Sequence, residues 1–471
     1  MAAGQTELNE NANEDQHMSN ETRRGYLSLA QLKSAVEAGE VDTVTMAMVD
    51  MQGRLQGKRL TAGHFLNDIV DAHAEGCNYQ LAVDVEMTPV PGYRHASWST
   101  GYGDFSFVPN LSTLRWMPWH DGAVFVMSDL AWGDGSPVPV SPRQILRRQI
   151  DRLAERGLVA HAGTELEFIV FRDSYESAWD KGYDDLTPAT RYNVDYALLD
   201  TPRLEPLLRR IRNEMRTAGL EVLDAKGECN FGQHEINIQY DEALATADGH
   251  ALYKNGAREI AAQEGYALTF MAKYNEREGN SCHIHLSVRS ADGEPVMADG
   301  HALSRQGEHF VAGMLGTLRE MTLLLAPNIN SYKRYVPGSF APTAVSWGRD
   351  NRTCALRLVG HGPSLRIENR VPGGDVNPYL ALAAMIAGGI HGLDNETQLE
   401  PAFDGNAYEA DKPRVPDTLG DARDLFAASE VAQQAFGADV VEHYLNMADI
   451  ELQAFNSTVT DWERIRCFER M

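Results

Sequence analysis

Long apolar runs are missing from this chain: none approaches the ~20 residues that span a bilayer, so no membrane role is expected. Cysteine is sparse. Its five cysteines (Cys77, Cys229, Cys282, Cys354, Cys467) are odd in number and lack CxxC spacing, which suits reduced thiols in a cytoplasm better than a disulfide framework. Positive charge is also in deficit: 42 Lys and Arg stand against 67 Asp and Glu, a net charge of −25. That argues against nucleic acid as a general partner, although a cleft can be locally positive inside an acidic protein. The common nucleotide loops are absent too. Gly53 to Lys58 is one residue short of a Walker loop and lacks its Ser/Thr, and Gly101-Tyr102-Gly103 has no third glycine. Nor is there a GxSxG nucleophile turn.

What remains is a 471-residue chain, 43 % hydrophobic, long enough for two domains. Residues 1–24 are rich in Asn, Glu and Gln and read as a disordered tail, not as a leader. Residues 25–132 read as strands and turns with one helix, Leu29 to Ala38, and the Gly133–Pro139 stretch marks a boundary. From 140 to 471 longer helices follow. One starts at Ser141-Pro142 and ends by Gly157. A second runs through Leu204 and Met215 to Gly219, and a third from Met314 to Leu325. Strand-like segments lie between them, so the fold class is α+β.

Two of those segments carry charge at every second position. Glu165 and Glu167 alternate with Leu166 and Phe168; Arg366, Glu368 and Arg370 alternate with Ile367 and Asn369. Side chains two apart share one face of a strand. A face this charged is costly to bury without metal ions, counter-charges or a charged ligand. Glu228 and Glu235 flank a turn at Gly232, and His283 and His285 flank Ile284. Five glutamates with one or two histidines suit Mg²⁺ or Mn²⁺ better than zinc. Arg334, Arg352, Arg357, Arg366 and Arg370 supply guanidiniums that bind carboxylates and phosphates bidentately. Together they point to phosphoryl transfer assisted by divalent ions.

Six motifs in order carry a resemblance: GTELEF (163–168), KGECNFGQHEI (226–236), GNSCHIHLS (279–287), NSYKRYVPG (330–338), RDNR (349–352) and RIENR (366–370). Over residues 25 to the end, the chain resembles the glutamine synthetase superfamily. The resemblance implies a small β-grasp-like N-terminal domain and a large catalytic domain with a curved antiparallel sheet flanked by helices. It implies a dodecamer with active sites shared between subunits, and ATP as co-substrate with two or more Mg²⁺ (or Mn²⁺). By matching motif, Glu167, Glu228 and Glu235 resemble the ligands of one metal, and Glu165, His283 and Glu368 those of another. Arg334 and Arg370 match positions that hold the glutamate substrate or its acyl phosphate, and Gly279 adjoins them. Arg352 matches the phosphoryl-transfer arginine; Arg357, Arg366, His285 and Ser287 match nucleotide contacts.

Departures from the pattern point to the second substrate. Ammonia-using members carry a flap glutamate where this chain has Phe340, and the matching Phe-Asp-Gly-Ser-Ser motif is absent, leaving Asp84 as the nearest counterpart. Phenylalanine offers neither charge nor a proton acceptor. The expected reaction is therefore ATP-dependent ligation of glutamate to a small primary amine through γ-glutamyl phosphate, in amine use or detoxification. Whole-chain similarity is nearest to the glutamate–ethanolamine ligase branch. Polyamines such as putrescine and spermidine stand second, ahead of ammonia and of a non-catalytic nitrogen-sensing protein.

Overall fold

The computed structural model describes residues 24–471; the tail expected over residues 1–24 lies, save Arg24, outside them. Helix α1 (Leu29–Glu37) opens on a reciprocal cap, in which Ser28 Oγ accepts the Gln31 N–H and the Gln31 side chain accepts the Ser28 N–H. Six strands follow: β1 (Thr43–Val49), β2 (Leu55–Thr61), β3 (Ala74–Cys77), β4 (Asp104–Pro109), β5 (Arg115–Trp116) and β6 (Ala123–Ala131). They form one sheet in the order β2-β1-β6-β4-β3, with β5 also on β6. Its central pair, β1 and β6, is parallel and the remaining pairs are antiparallel. This mixed sheet agrees with the β-grasp-like expectation.

The β1–β2 hairpin is fastened to the rest of the molecule. Asp50 Oδ1 accepts the N–H groups of Gln52 and Arg54, closing the turn. Asn377 Nδ2 then donates to the Asp50 and Met51 carbonyls at 3.3 and 3.0 Å, while its Oδ1 caps the helix that follows.

The second sheet has nine strands. They are β7 (Leu158–Phe171), β8 (Val222–Gly227), β9 (Gln233–Ile238), β10 (Asp241–Glu242), β11 (Ala267–Thr269) and β12 (Cys282–Ser290), then, beyond a two-stranded ribbon of β13 (Ala298–Asp299) and β14 (Ala302–Leu303), β15 (Trp347–Arg349), β16 (Leu356–Val359) and β17 (Arg366–Asn369). The order is β15-β16-β17-β12-β7-β9-β8, with β10 and β11 also on β7. All pairs are antiparallel except β15–β16 at one end, in keeping with the curved antiparallel sheet expected.

Three helices back this sheet, α2 (Pro142–Ala154), α3 (Glu205–Thr217) and α4 (Ala243–Gln263); α5 (Arg305–Thr317) packs on α6 (Pro378–Asp394), which in turn packs on α2 and α4. Among the described residues none is long and apolar enough to cross a membrane. Ser141 precedes α2 without a side-chain cap bond, and Gly157 (φ +69°) turns the chain into β7. α5 and α6 pack backbone to backbone, because a Cβ on Gly313 would sit 2.2 Å from the Gly388 carbonyl. The single helix expected through Met314 and Leu325 is instead broken after Thr317 and resumes at Thr322–Leu325. Both threonines bond the carbonyl four residues back, Thr317 to Gly313 and Thr322 to Leu318, competing with the helical ladder there.

Candidate active site

β7 folds as its alternation dictates. Leu166 and Phe168 are buried in the core and pack from one face, while Glu165 and Glu167 line a cleft of about 590 Å³ on the other. Register brings the remaining motifs alongside. Glu165 lies beside His283 of β12, Glu167 beside Glu235 of β9, and Glu368 of β17 between His285 of β12 and Arg357 of β16.

Glu167, Glu228 and Glu235 form the first group, with ligand atoms all within 4.8 Å of one another. Glu167 Oε2 accepts the Ser281 N–H at 2.7 Å and a Gln233 amide hydrogen at 3.1 Å. Burial, and then the charges of Glu228 and Glu235, push its pKa well above the carboxylate range. Burial likewise raises Glu235 to about 7, against the pull of Lys226. Three crowded carboxylates held short of full ionisation gain by taking up a cation.

Glu165, His285 and Glu368 form the second group, again within 4.8 Å. His283 joins it: its Nδ1 lies 3.3 Å from Glu165 and 3.5 Å from Glu368, and its Nε2 is buried without a partner. Burial, then the Arg370 charge, lowers His283 to about 4, leaving the neutral imidazole that ligates metals. Burial raises Glu165, but hydrogen bonds from His283 and His285 outweigh it and hold the carboxyl well below its usual range. An oxygen-rich set, a neutral imidazole and one orphaned ring nitrogen fit a hard divalent cation.

The arginines divide by position. Arg357 and Arg370 clamp Glu368 from either side, the former at 2.8 Å. Arg352 is exposed on the cleft wall. Arg366 Nε donates to His285 Nδ1 at 3.2 Å, and these two residues with Ser287 line a second cavity of about 610 Å³ that shares Glu165 with the first. Arg334 stands behind the wall. It is buried, its Nη2 donates to the carbonyls of Arg370, Val371 and Pro372, and its Nη1 to Ser281 Oγ at 3.3 Å. Its guanidinium braces the β17 exit loop, and its Nε is buried without a hydrogen-bond partner. Gly279 lies on the wall, where a Cβ would meet the Ala272 carbonyl at 2.2 Å.

Phe340 sits at the cleft edge, 57 % exposed, with a left-handed backbone (φ +59°), a conformation that costs a non-glycine residue about 1–2 kcal/mol. Arg370 Nη2 donates to its carbonyl at 3.2 Å and so holds the turn. Asp84 is elsewhere in the chain: its carboxylate caps its own turn through the Glu86 and Thr88 N–H groups, and it is not on the wall of this cleft. Lys226, Asp195, Tyr196 and Asn237 do line it and received no role from the sequence. The Lys226-Gly227-Glu228 alternation carried the signal for the first of them.

Comparison with known proteins places this geometry. Residues 139–467 match the family of the glutamine synthetase catalytic domain. The γ-glutamylethanolamide synthetase GlnA4 of Streptomyces coelicolor is 61 % identical over 445 residues, 94 % of this chain and 96 % of that one. A glutamate–isopropylamine ligase of Pseudomonas sp. is 36 % identical, over 95 % of this chain and 99 % of the relative. A solved GmaS–ADP complex superposes with a TM-score of 0.82 at 26 % identity, covering 93 % of this chain and 99 % of its own. With its two carboxylate groups gathered along one sheet, the chain belongs to the glutamine synthetase family, whose enzymes use ATP and divalent metals.

Proposed function

We propose that this protein ligates L-glutamate to ethanolamine, forming a γ-glutamyl amide, ADP and phosphate. The observation that carries the reading is Phe340: an apolar ring at the edge of a cleft walled mostly by carboxylates, arginines and polar side chains. The Phe340 ring itself offers an ammonium ion no anionic partner, but it can flank the carbon chain of an organic amine. The 61 % identity to a γ-glutamylethanolamide synthetase supports ethanolamine, and the identity to an isopropylamine ligase supports small amines in general.

Two or more Mg²⁺ (or Mn²⁺) ions would be held by Glu167, Glu228 and Glu235 on one side and by Glu165, His283, His285 and Glu368 on the other. When bound they neutralise phosphate charge. ATP phosphates would lie against Arg357 and Arg366, near His285 and Ser287. The γ-carboxylate oxygen of glutamate attacks the γ-phosphorus of ATP, and the bond to ADP breaks. Arg352 and Arg370 reach over the transferring group and balance its charge. The amine, having given one proton to a neighbouring carboxylate, attacks the acyl carbon. The bond to phosphate then breaks, and the second amine proton leaves with that phosphate. The proposed assembly is a dodecamer, in which Asp84 of the partner subunit would complete the amine side.

Glutamate carrying heavy oxygen in its γ-carboxylate tests the route. Transfer of one labelled oxygen to phosphate in each turnover is expected, and unlabelled phosphate would contradict the acyl-phosphate step.

A further inference from the structure

Lys226 is the cation closest to the first carboxylate group. It lies on β8 opposite Glu235 of β9, and its ammonium is ion-paired with Glu228. On its other side Asp195 Oδ1 lies 4.0 Å away, and the Tyr196 ring centroid 4.6 Å away. Asp195 is itself oriented, since the Cys229 thiol donates to its Oδ2 at 3.6 Å. Glu228 belongs to two overlapping acidic groups, one with Glu167 and Glu235, the other with Asp195 and Cys229. One ammonium therefore has two anionic seats, and only the first of them belongs to the carboxylates assigned to metal.

We propose that Lys226 is the resident counter-cation of the first carboxylate group, exchanging Glu228 for Asp195 and the Tyr196 face when a divalent cation enters. The inference rests on the metal reading above. Without metal, Glu167, Glu228 and Glu235 need a positive charge to stay together, and Lys226 supplies one. A divalent ion claiming all three carboxylates repels an ammonium left on Glu228. The four-carbon lysine stem can move its charge a few ångströms without backbone movement, whereas an arginine fork would be fixed by its geometry. Asp195 and the Tyr196 ring receive it by ion pairing and by cation–π attraction. Lys226 is a positioning residue in this scheme: it preserves the site between metal-loading events.

The test is Mn²⁺ binding to the metal-stripped, full-length protein, read by the loss of free-ion signal in electron paramagnetic resonance. K226M is expected to bind Mn²⁺ about tenfold more tightly, because a competing cation is gone. D195N is expected to weaken binding about threefold in the parent, yet by less than about twofold in the K226M background, since Asp195 acts through Lys226. Unchanged or weaker binding by K226M would overturn the proposal, and so would an equal D195N effect in both backgrounds. No Mn²⁺ binding by the parent would instead remove the metal reading, and this inference with it. K226Q serves as the second variant, and thermal melting confirms that each variant is folded.

Discussion

Glu368 is 1 % exposed and lies between the guanidiniums of Arg357 and Arg370, with His283 at 3.5 Å. Replacing it removes a site ligand and strands two cations in a poorly solvated place. Glu368→Ala is expected to abolish phosphate release from ATP, and to cost about 3–5 kcal/mol of stability in a denaturant titration. Near-normal turnover would take Glu368 out of the site. Glu235 gives a pH signature. Its folded pKa of about 7 lies above the ordinary 4.5. Between those values the folded, metal-free chain keeps a proton that the unfolded chain has released, so this residue's contribution to stability falls as pH rises through the window. In chelator, E235Q should melt about 2 °C above the parent near pH 8 and level with it near pH 5. Excess Mg²⁺ should reverse the order by stabilising only the parent. A parent at least as stable as E235Q in chelator near pH 8 would contradict the crowded-carboxylate account. At this scale the glutamates were legible because alternation exposes them. The carbonyl-bound role of Arg334 was not, since nothing in a sequence says which way a guanidinium turns.

Strands make the site more than any single residue does. Glu165 and Glu167 reach the cleft together because β7 is continuous from Leu158 to Phe171 and pairs with β12 and β9 in a fixed register. A one-residue slip would turn both into the core. The strand faces were readable from period-two alternation, whereas the pairing partners are long-range and came only with the structure; the resemblance had supplied the grouping of the carboxylates. The break between Thr317 and Thr322 escaped an apolar periodicity that runs straight through it. The loop at Phe340 is the element that sets acceptor choice in this account. Phe340→Glu should lower kcat/KM for ethanolamine by about tenfold or more, and should bring ammonium-stimulated phosphate release above background. An unchanged preference in steady-state assays would show that the loop does not select the amine.

Across the whole molecule, two sheets share one continuous core, and the Asp50–Arg54 turn is tied to α6 through Asn377. Asp84 stays on its own turn, off the cleft wall of its own chain. Charge and cysteine content set expectations about partners and thiol chemistry. They were silent on assembly, which depends on surfaces rather than on composition. The central claim is that the phosphorylating machinery is kept while the acceptor is an organic amine. The most direct test measures phosphate release from ATP with Mg²⁺ and glutamate, comparing ammonium, ethanolamine, isopropylamine, putrescine and spermidine in parallel. The account predicts stimulation by ethanolamine above the other amines and little by ammonium. Stimulation by ammonium alone would contradict it.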